Sequence, residues 1–209
     1  MRGQRVLELG CGLASLSHIC ATLGAATVVA TDGEDTTVMA ARTVAKAASL
    51  VSRSEDASCK PNIDSIEFST LRWGNVTAIE ALGDGHGGSG AGGFDLVLGT
   101  ELMYYATVVD ALVATIATAL RRSAIDPSLE APRKVPACAV LSHFFRRADL
   151  SQELVAACHE HGTNTDKYSV EHLISFITNF TAFEFPHRIY EILLLQDYFV
   201  FCHYSTKKY

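Results

Sequence analysis

The 209-residue sequence lacks a basic stripe: 17 Lys and Arg face 23 Asp and Glu, for a net charge of −6. Gripping nucleic acid through its phosphates needs clustered cations that displace counterions, so no nucleic acid partner is expected. No apolar run reaches the length of a membrane span and no signal-peptide pattern opens the chain, so neither a membrane nor export is expected. Cysteine is sparse and scattered. Cys11, Cys20, Cys59, Cys138, Cys158 and Cys202 form no CxxC pair and no zinc-like spacing. They read as reduced thiols, and no metal site is expected. His159 and His161 lie two apart, on different faces of a helix, and read as solvated polar residues. Hydrophobic residues make up 48% and charged residues 19%, enough to bury a core. The expectation is a monomer in the cytoplasm, with the nucleus as a second compartment.

Strand and helix patterns alternate through the first half. Val6–Leu9 is a short apolar run ending in Gly10-Cys11-Gly12. Leu13, Leu16, Ile19, Cys20 and Leu23 then recur at helical spacing, and Gly24 stands where a helix stops. Ala25–Ala30 reads as the second strand, ended by Asp32-Gly33. Thr36 to Val51 reads as a helix with Asp35 as its N-cap. Ile63–Leu71 alternates as a third strand and leads to Trp73-Gly74. Phe94–Leu98 is a near-continuous apolar run of the kind buried on both faces of a parallel sheet. Val108, Val109, Leu112, Val113, Ile116 and Leu120 mark an amphipathic helix. A fifth strand lies within Val135–Phe145, and Asp149 with Gln152 reads as a capping-box variant opening a helix through Leu150, Leu154, Val155 and Cys158. Ile189–Leu195 and Tyr198–His203 read as a closing antiparallel hairpin, while Ser169–Phe185 fits either helix or strand. The Gly-rich stretch 83–93 is expected to be a flexible loop, since a phosphate-binding loop would need GK[ST] opening a helix. Ser123–Pro136 reads as a surface connection. Strands separated by helices imply parallel pairing in one doubly wound α/β domain, residues 1–209.

The strongest chemical signal is Glu8-Leu9-Gly10-Cys11-Gly12-Leu13-Ala14. A glycine turn after a first strand lets the backbone approach a ligand, and the helix N-terminus behind it favours polar or anionic groups. Asp32 follows Gly12 by twenty positions at the end of the second strand, where a carboxylate can accept both hydroxyls of a ribose. Together these point to a nucleoside-type cofactor. A dinucleotide loop would have a third glycine at Ser15.

The acid two positions before Gly10, with Ala14 where a third glycine is usual, resembles motif I of the seven-strand S-adenosylmethionine methyltransferases. Two later motifs narrow the resemblance. Leu71-Arg72-Trp73-Gly74 follows the third strand, and Glu101-Leu102-Met103-Tyr104 follows the fourth. The ordered set of motif I, Asp32, WG and ExxY is similar to the methyltransferase-like protein-lysine methyltransferases, over about Val6 to Leu120. The resemblance implies a Rossmann-like, doubly wound, mostly parallel seven-stranded sheet with the antiparallel C-terminal hairpin. It implies S-adenosylmethionine as cofactor and a protein substrate presenting a lysine. Glu8, Gly10, Cys11, Gly12, Asp32, Trp73 and Thr100 would bind the cofactor, and Glu101 with Tyr104 would handle the acceptor. Such enzymes have a segment before the first strand that helps close the cofactor pocket; here strand-like sequence begins at Arg5, and the expectation is a domain without that cap.

Several of these residues carry a second reading. Trp73 is either an adenine-stacking wall or core. Glu8 either contacts the cofactor or only accepts loop amides. Cys11 reads as a small neutral residue, since nothing nearby supplies a base. Of Tyr104 and Tyr105, the spacing favours Tyr104 for the site. A histidine side chain or a small-molecule amine is an alternative acceptor on the same scaffold, and a cofactor-binding domain without turnover is the other alternative.

Overall fold

The computed structural model describes residues 2–51, 65–84, 93–123, 137–143, 150–161, 164–168 and 197–202. At the centre lie five parallel strands: β1 (Arg5–Leu9), β2 (Thr27–Asp32), β3 (Ile66–Thr70), β4 (Leu96–Thr100) and β5 (Cys138–His143). The spatial order β3-β2-β1-β4-β5 reverses between β1 and β4. Such a reversal opens a crevice at the carboxyl ends of the two strands. The parallel core bears out the Rossmann-like reading. Beyond β5 the sheet continues through β7 (Asp197–Cys202), antiparallel to β5, and β6 (Asn164–Tyr168), antiparallel to β7. The helices are α1 (Ser15–Thr22), α2 (Asp35–Val51), α3 (Val76–Asp84), α4 (Val109–Ser123) and α5 (Ser151–Glu160), with a 3₁₀ turn at Ala106–Val108 ahead of α4.

Both sheet faces are covered. Successive side chains of a strand point to opposite faces. Leu7 and Leu9 therefore pack with Leu112, Ile116 and Leu120 of α4 and Leu154 of α5, while Val6 lies on the other side with Val28, Cys20 and Ala21 of α1, and Ala41 of α2. Full burial of each large aliphatic side chain contributes about 1.5–3 kcal/mol. Arg5 clasps the start of β1 to its neighbours. Its N–H donates to Asp95 Oδ2 at 2.7 Å, its guanidinium donates to Gly83 O at 2.9 Å, and it stands 5.4 Å from the centre of the Phe94 ring.

Several local expectations shift. In α1 the inward face is Ser17, Cys20 and Ala21, while Leu13 and Ile19 are 56% and 52% exposed. The cause is tertiary: the buried Glu8 carboxylate accepts from the Ser17 N–H at 2.9 Å and from its hydroxyl, which turns that face to the sheet. Strands β2 and β4 each run about two residues later than their apolar stretches. Thr31, Asp32, Gly99 and Thr100 are carried into the sheet by pairing with β1, β3 and β5. Asp35 is the first residue of α2 rather than its cap, and its carboxylate accepts from the Thr70 hydroxyl. Helix α3 was not expected. Asn75 caps it, with Oδ1 accepting from the Ala78 N–H at 3.1 Å, and the helix takes in Gly83 and Asp84. Helix α5 opens at Ser151 with Leu150 in the cap position and no side-chain cap bond, while Asp149 lies outside the described residues. Val155 faces out. His161 is paired rather than simply solvated, with Nε2 2.8 Å from Asp110 Oδ1. The expected partner of 198–203, segment 189–195, lies outside the described residues, and 197–202 pairs instead with β5 and β6. Residues 169–185, most of the Gly-rich stretch and nearly all of 123–136 also lie outside the described residues.

Candidate functional site

A cleft of about 590 Å³ lies at the carboxyl ends of the central strands, where the strand order reverses. Pockets of this size hold cofactor-sized ligands. Of the nine expected site residues, seven line it: Gly10, Gly12, Asp32, Trp73, Thr100, Glu101 and Tyr104. Glu8 and Cys11 do not.

The loop after β1 has a backbone reason for its composition. Residues 10, 12 and 14 are all left-handed, with φ of 61°, 52° and 62°. An L side chain in that region costs about 1–2 kcal/mol, which glycine avoids. Alternate glycines therefore suit this turn, and Ala14, fully buried at the start of α1, takes the third such position with its small side chain. A methyl group on Gly12 would meet nothing within 4 Å, so the glycine leaves open the space a ligand needs. The loop is tied to β2 twice. The Cys11 N–H donates to Thr31 O at 2.8 Å, and the Gly12 N–H donates to Asp32 Oδ2 at 3.2 Å. The Glu34 N–H donates to Asp32 Oδ1 at 3.3 Å. Each carboxylate oxygen has a further lone pair for a ligand hydroxyl.

Trp73 is half-buried and packs against the core while also lining the cleft. Its Cζ2 lies 3.9 Å from where a methyl group on Gly10 would stand. The turn that presents it is fixed by Gly74, which has φ 83° and donates its N–H to Thr115 Oγ1 of α4 at 2.8 Å.

The opposite wall begins where β4 ends. Glu101 has φ 54°, the one other left-handed non-glycine among the described residues besides Ala14. Its N–H donates to Ser142 O at 2.9 Å, extending the β4–β5 pairing by one residue. The chain then turns sharply. Leu102 and Met103 are buried, and Tyr104 and Tyr105 emerge 55% and 60% exposed. Tyr104 lines the cleft and Tyr105 does not. Sequence patterns missed Glu34, Leu102, Thr107, Val108 and Ala111, which also line it. The last three open α4 and its preceding turn, where no motif marks them.

Glu8 accepts from Ser17 of α1 rather than from a loop amide, and it does not line the cleft. It is 3% exposed and its carboxylate is spent on Ser17, behind the loop. Burial pushes its carboxyl above the ordinary 4.5, against the opposing pull of the Ser17 bonds. A raised folded-state value favours the protonated form, so the associated stability is whole below about pH 4.5 and is lost as pH rises through the folded-state value. Wild type should therefore lose stability relative to Glu8→Gln as pH rises from about 4 to about 8, read as urea midpoints. A constant difference would refute this.

The Cys11 thiol is pushed up to about 12, first by burial and then by the nearby Glu8 and Asp32 charges. Only the thiolate is nucleophilic. Cys11 should thus escape iodoacetamide in the folded protein near pH 8 and react once unfolded, as peptide mass spectrometry would show.

The arrangement is that of a ligand site with two ends. One end has a close backbone approach and a carboxylate suited to ribose hydroxyls; the other has a carboxylate and an exposed aromatic ring suited to a cation. Among the described residues no cluster of His, Cys, Asp and Glu could hold a metal ion, and no helix is long and apolar enough to cross a membrane.

A family model described as lysine methyltransferase matches residues 1–125. No curated protein sequence matches the chain significantly. Solved structures do resemble it. A TehB-like SAM-dependent methyltransferase from Corynebacterium glutamicum shares 13% identity with a TM-score of 0.55, covering 98% of this chain and 82% of that one. An S-adenosylmethionine dependent methyltransferase from Mesorhizobium loti shares 13% identity with a TM-score of 0.51, covering 97% and 92%. The magnesium protoporphyrin IX methyltransferase from Synechocystis PCC 6803, solved with bound SAM, shares 15% identity with a TM-score of 0.50, covering 97% and 71%. At these identities the likeness is one of fold.

Proposed function

We propose, since this chain belongs to the lysine methyltransferase family, that it transfers a methyl group to the side-chain nitrogen of a lysine in a protein. The chain is an S-adenosylmethionine-dependent methyltransferase by family and fold. The observation that carries the lysine reading is that Glu101 and Tyr104 line the same cleft as Gly10, Gly12, Asp32 and Trp73. Cofactor-side and acceptor-side residues then face one space.

The residues fit the cofactor. The left-handed loop at Gly10 and Gly12 would take the methionine part, the Asp32 carboxylate the ribose, Trp73 the adenine, and Thr100 the edge of β4. When bound, the cofactor supplies an electrophilic methyl group on a sulfonium. The protein mainly supplies placement. A lysine amine attacks only when neutral, yet its free pKa is about 10.4. Glu101 draws in the ammonium and orients it, while partial desolvation in the cleft favours release of its proton. The Tyr104 ring and hydroxyl align the amine.

The same reading takes β6 and β7 as the antiparallel finish of a seven-stranded methyltransferase sheet. It takes the partner to be a protein rather than nucleic acid or a membrane, and the enzyme to be a monomer of the cytoplasm, with the nucleus as a second compartment.

Tritiated methyl incorporation into a cell lysate, followed by mass spectrometry of the labelled residue, tests the acceptor. Label on lysine supports the reading, and label on histidine or on a small-molecule amine moves the function there. Cofactor binding with no label leaves a binding domain without turnover.

A further inference from the structure

Leu102 sits at the junction of the two ends of the cleft. A methyl group on Gly10 would lie 2.5 Å from Leu102 Cδ2, and one on Gly99 would overlap Leu102 Cδ1. Gly10 follows β1 and Gly99 lies in β4, the two strands that part at the crevice, and Leu9 and Gly99 are register partners. The isobutyl group therefore spans the carboxyl ends of both strands, in room left by two missing side chains. Leu102 is 7% exposed and lines the cleft. Immediately before it, Glu101 is held left-handed, a conformation that an L residue keeps only when its surroundings impose it. The Glu101 N–H on Ser142 O anchors one side of that turn. Leu102 in its slot anchors the other.

We infer that Leu102 is a positioning residue that couples the cofactor loop at Gly10 to the acceptor turn at Glu101 and Tyr104, so that ligand on the loop orders the turn. A packed side chain that bridges two segments can carry energetic coupling between them. The inference rests on the reading of Glu101 and Tyr104 as the acceptor side.

Hydrogen exchange read by mass spectrometry on the full chain, with and without saturating S-adenosylhomocysteine, tests it. In wild type the ligand should slow exchange in peptides covering residues 10–14 and also in those covering 102–105. At saturating ligand, Leu102→Ala should keep the loop protection and lose the turn protection. Leu102→Met, unbranched and able to fill only one of the two glycine sites at a time, should restore it in part. Should Leu102→Ala fail to fold, Leu102→Val, too short to span the slot, carries the same comparison. Turn protection that persists in the shortened variant overturns the coupling. So does a wild-type turn that the ligand leaves unprotected, or a loss of turn protection that merely tracks lost affinity. A wild type that shows both protections but labels no lysine removes the transfer reading and leaves the coupling standing.

Discussion

Glu101→Gln is expected to leave S-adenosylmethionine binding nearly intact and to cut lysine methylation about 10- to 150-fold. The substitution keeps size and hydrogen bonding but removes the charge. A hydrogen bond to a charged group contributes about 1.5–3 kcal/mol, and each 1.36 kcal/mol is tenfold in rate. The Glu101 backbone is set by its N–H on Ser142 O and by the turn behind it, so the side-chain change should not move the main chain. Tyr104→Phe keeps the ring face and should cost less. The measurement is the initial rate of tritiated methyl incorporation at saturating cofactor, beside a calorimetric titration of cofactor binding. Equal activity in wild type and Glu101→Gln would remove Glu101 from the site.

Asp32→Ala is expected to weaken S-adenosylhomocysteine binding by at least about tenfold with the fold retained. Its carboxylate has two tasks. It accepts from the Gly12 and Glu34 N–H groups, holding the loop to the end of β2, and it retains lone pairs for the two ribose hydroxyls. Loss of one charge-assisted bond alone accounts for the tenfold change. Asp32 sits at the rim of the cleft, outside both apolar clusters, so the far-ultraviolet spectrum and the cooperativity of melting should be preserved. Calorimetric titration gives the affinity. An unchanged value would place the ribose elsewhere.

What the sequence made legible was whatever a short stretch encodes by itself. The run Val6–Leu9 with its glycines announces a first strand and a close-approach turn, because both come from local chemistry. The structure adds that the backbone is left-handed at positions 10, 12 and 14, and that Ala14 is fully buried, which is why a small residue stands there. Expectations failed where a distant partner decides. The inward face of α1 is chosen by Ser17 because Glu8 waits on β1, and no periodicity within 13–23 contains that bond. The ends of β2 and β4 are polar or glycine and become strand only by pairing across the sheet. Strand β6, Asn164–Tyr168, is too polar to announce itself. In the cleft, Trp73, Glu101 and Tyr104 were marked by the resemblance of the WG and ExxY motifs to a known family. Thr107, Val108 and Ala111 reach the cleft from α4 and the turn before it, which the Gly74 N–H on Thr115 Oγ1 ties to the Trp73 turn, a contact between segments distant in sequence.

The clasp at Arg5 bears on how this domain can vary. One residue of the first strand holds Gly83 O on one side and Asp95 with the Phe94 ring on the other, so the chain leaves and re-enters the core at two points joined through a single side chain and its own N–H. The positions of Gly83 and Asp95 relative to each other are thus set by the first strand itself. Doubling the length of a loop costs only about 0.6 kcal/mol in closure entropy. The clasp at the start of β1 and the cleft at the carboxyl ends of β1 and β4 share no residue, so a change in the number of residues between Gly83 and Phe94 is expected to leave the cleft lining in place.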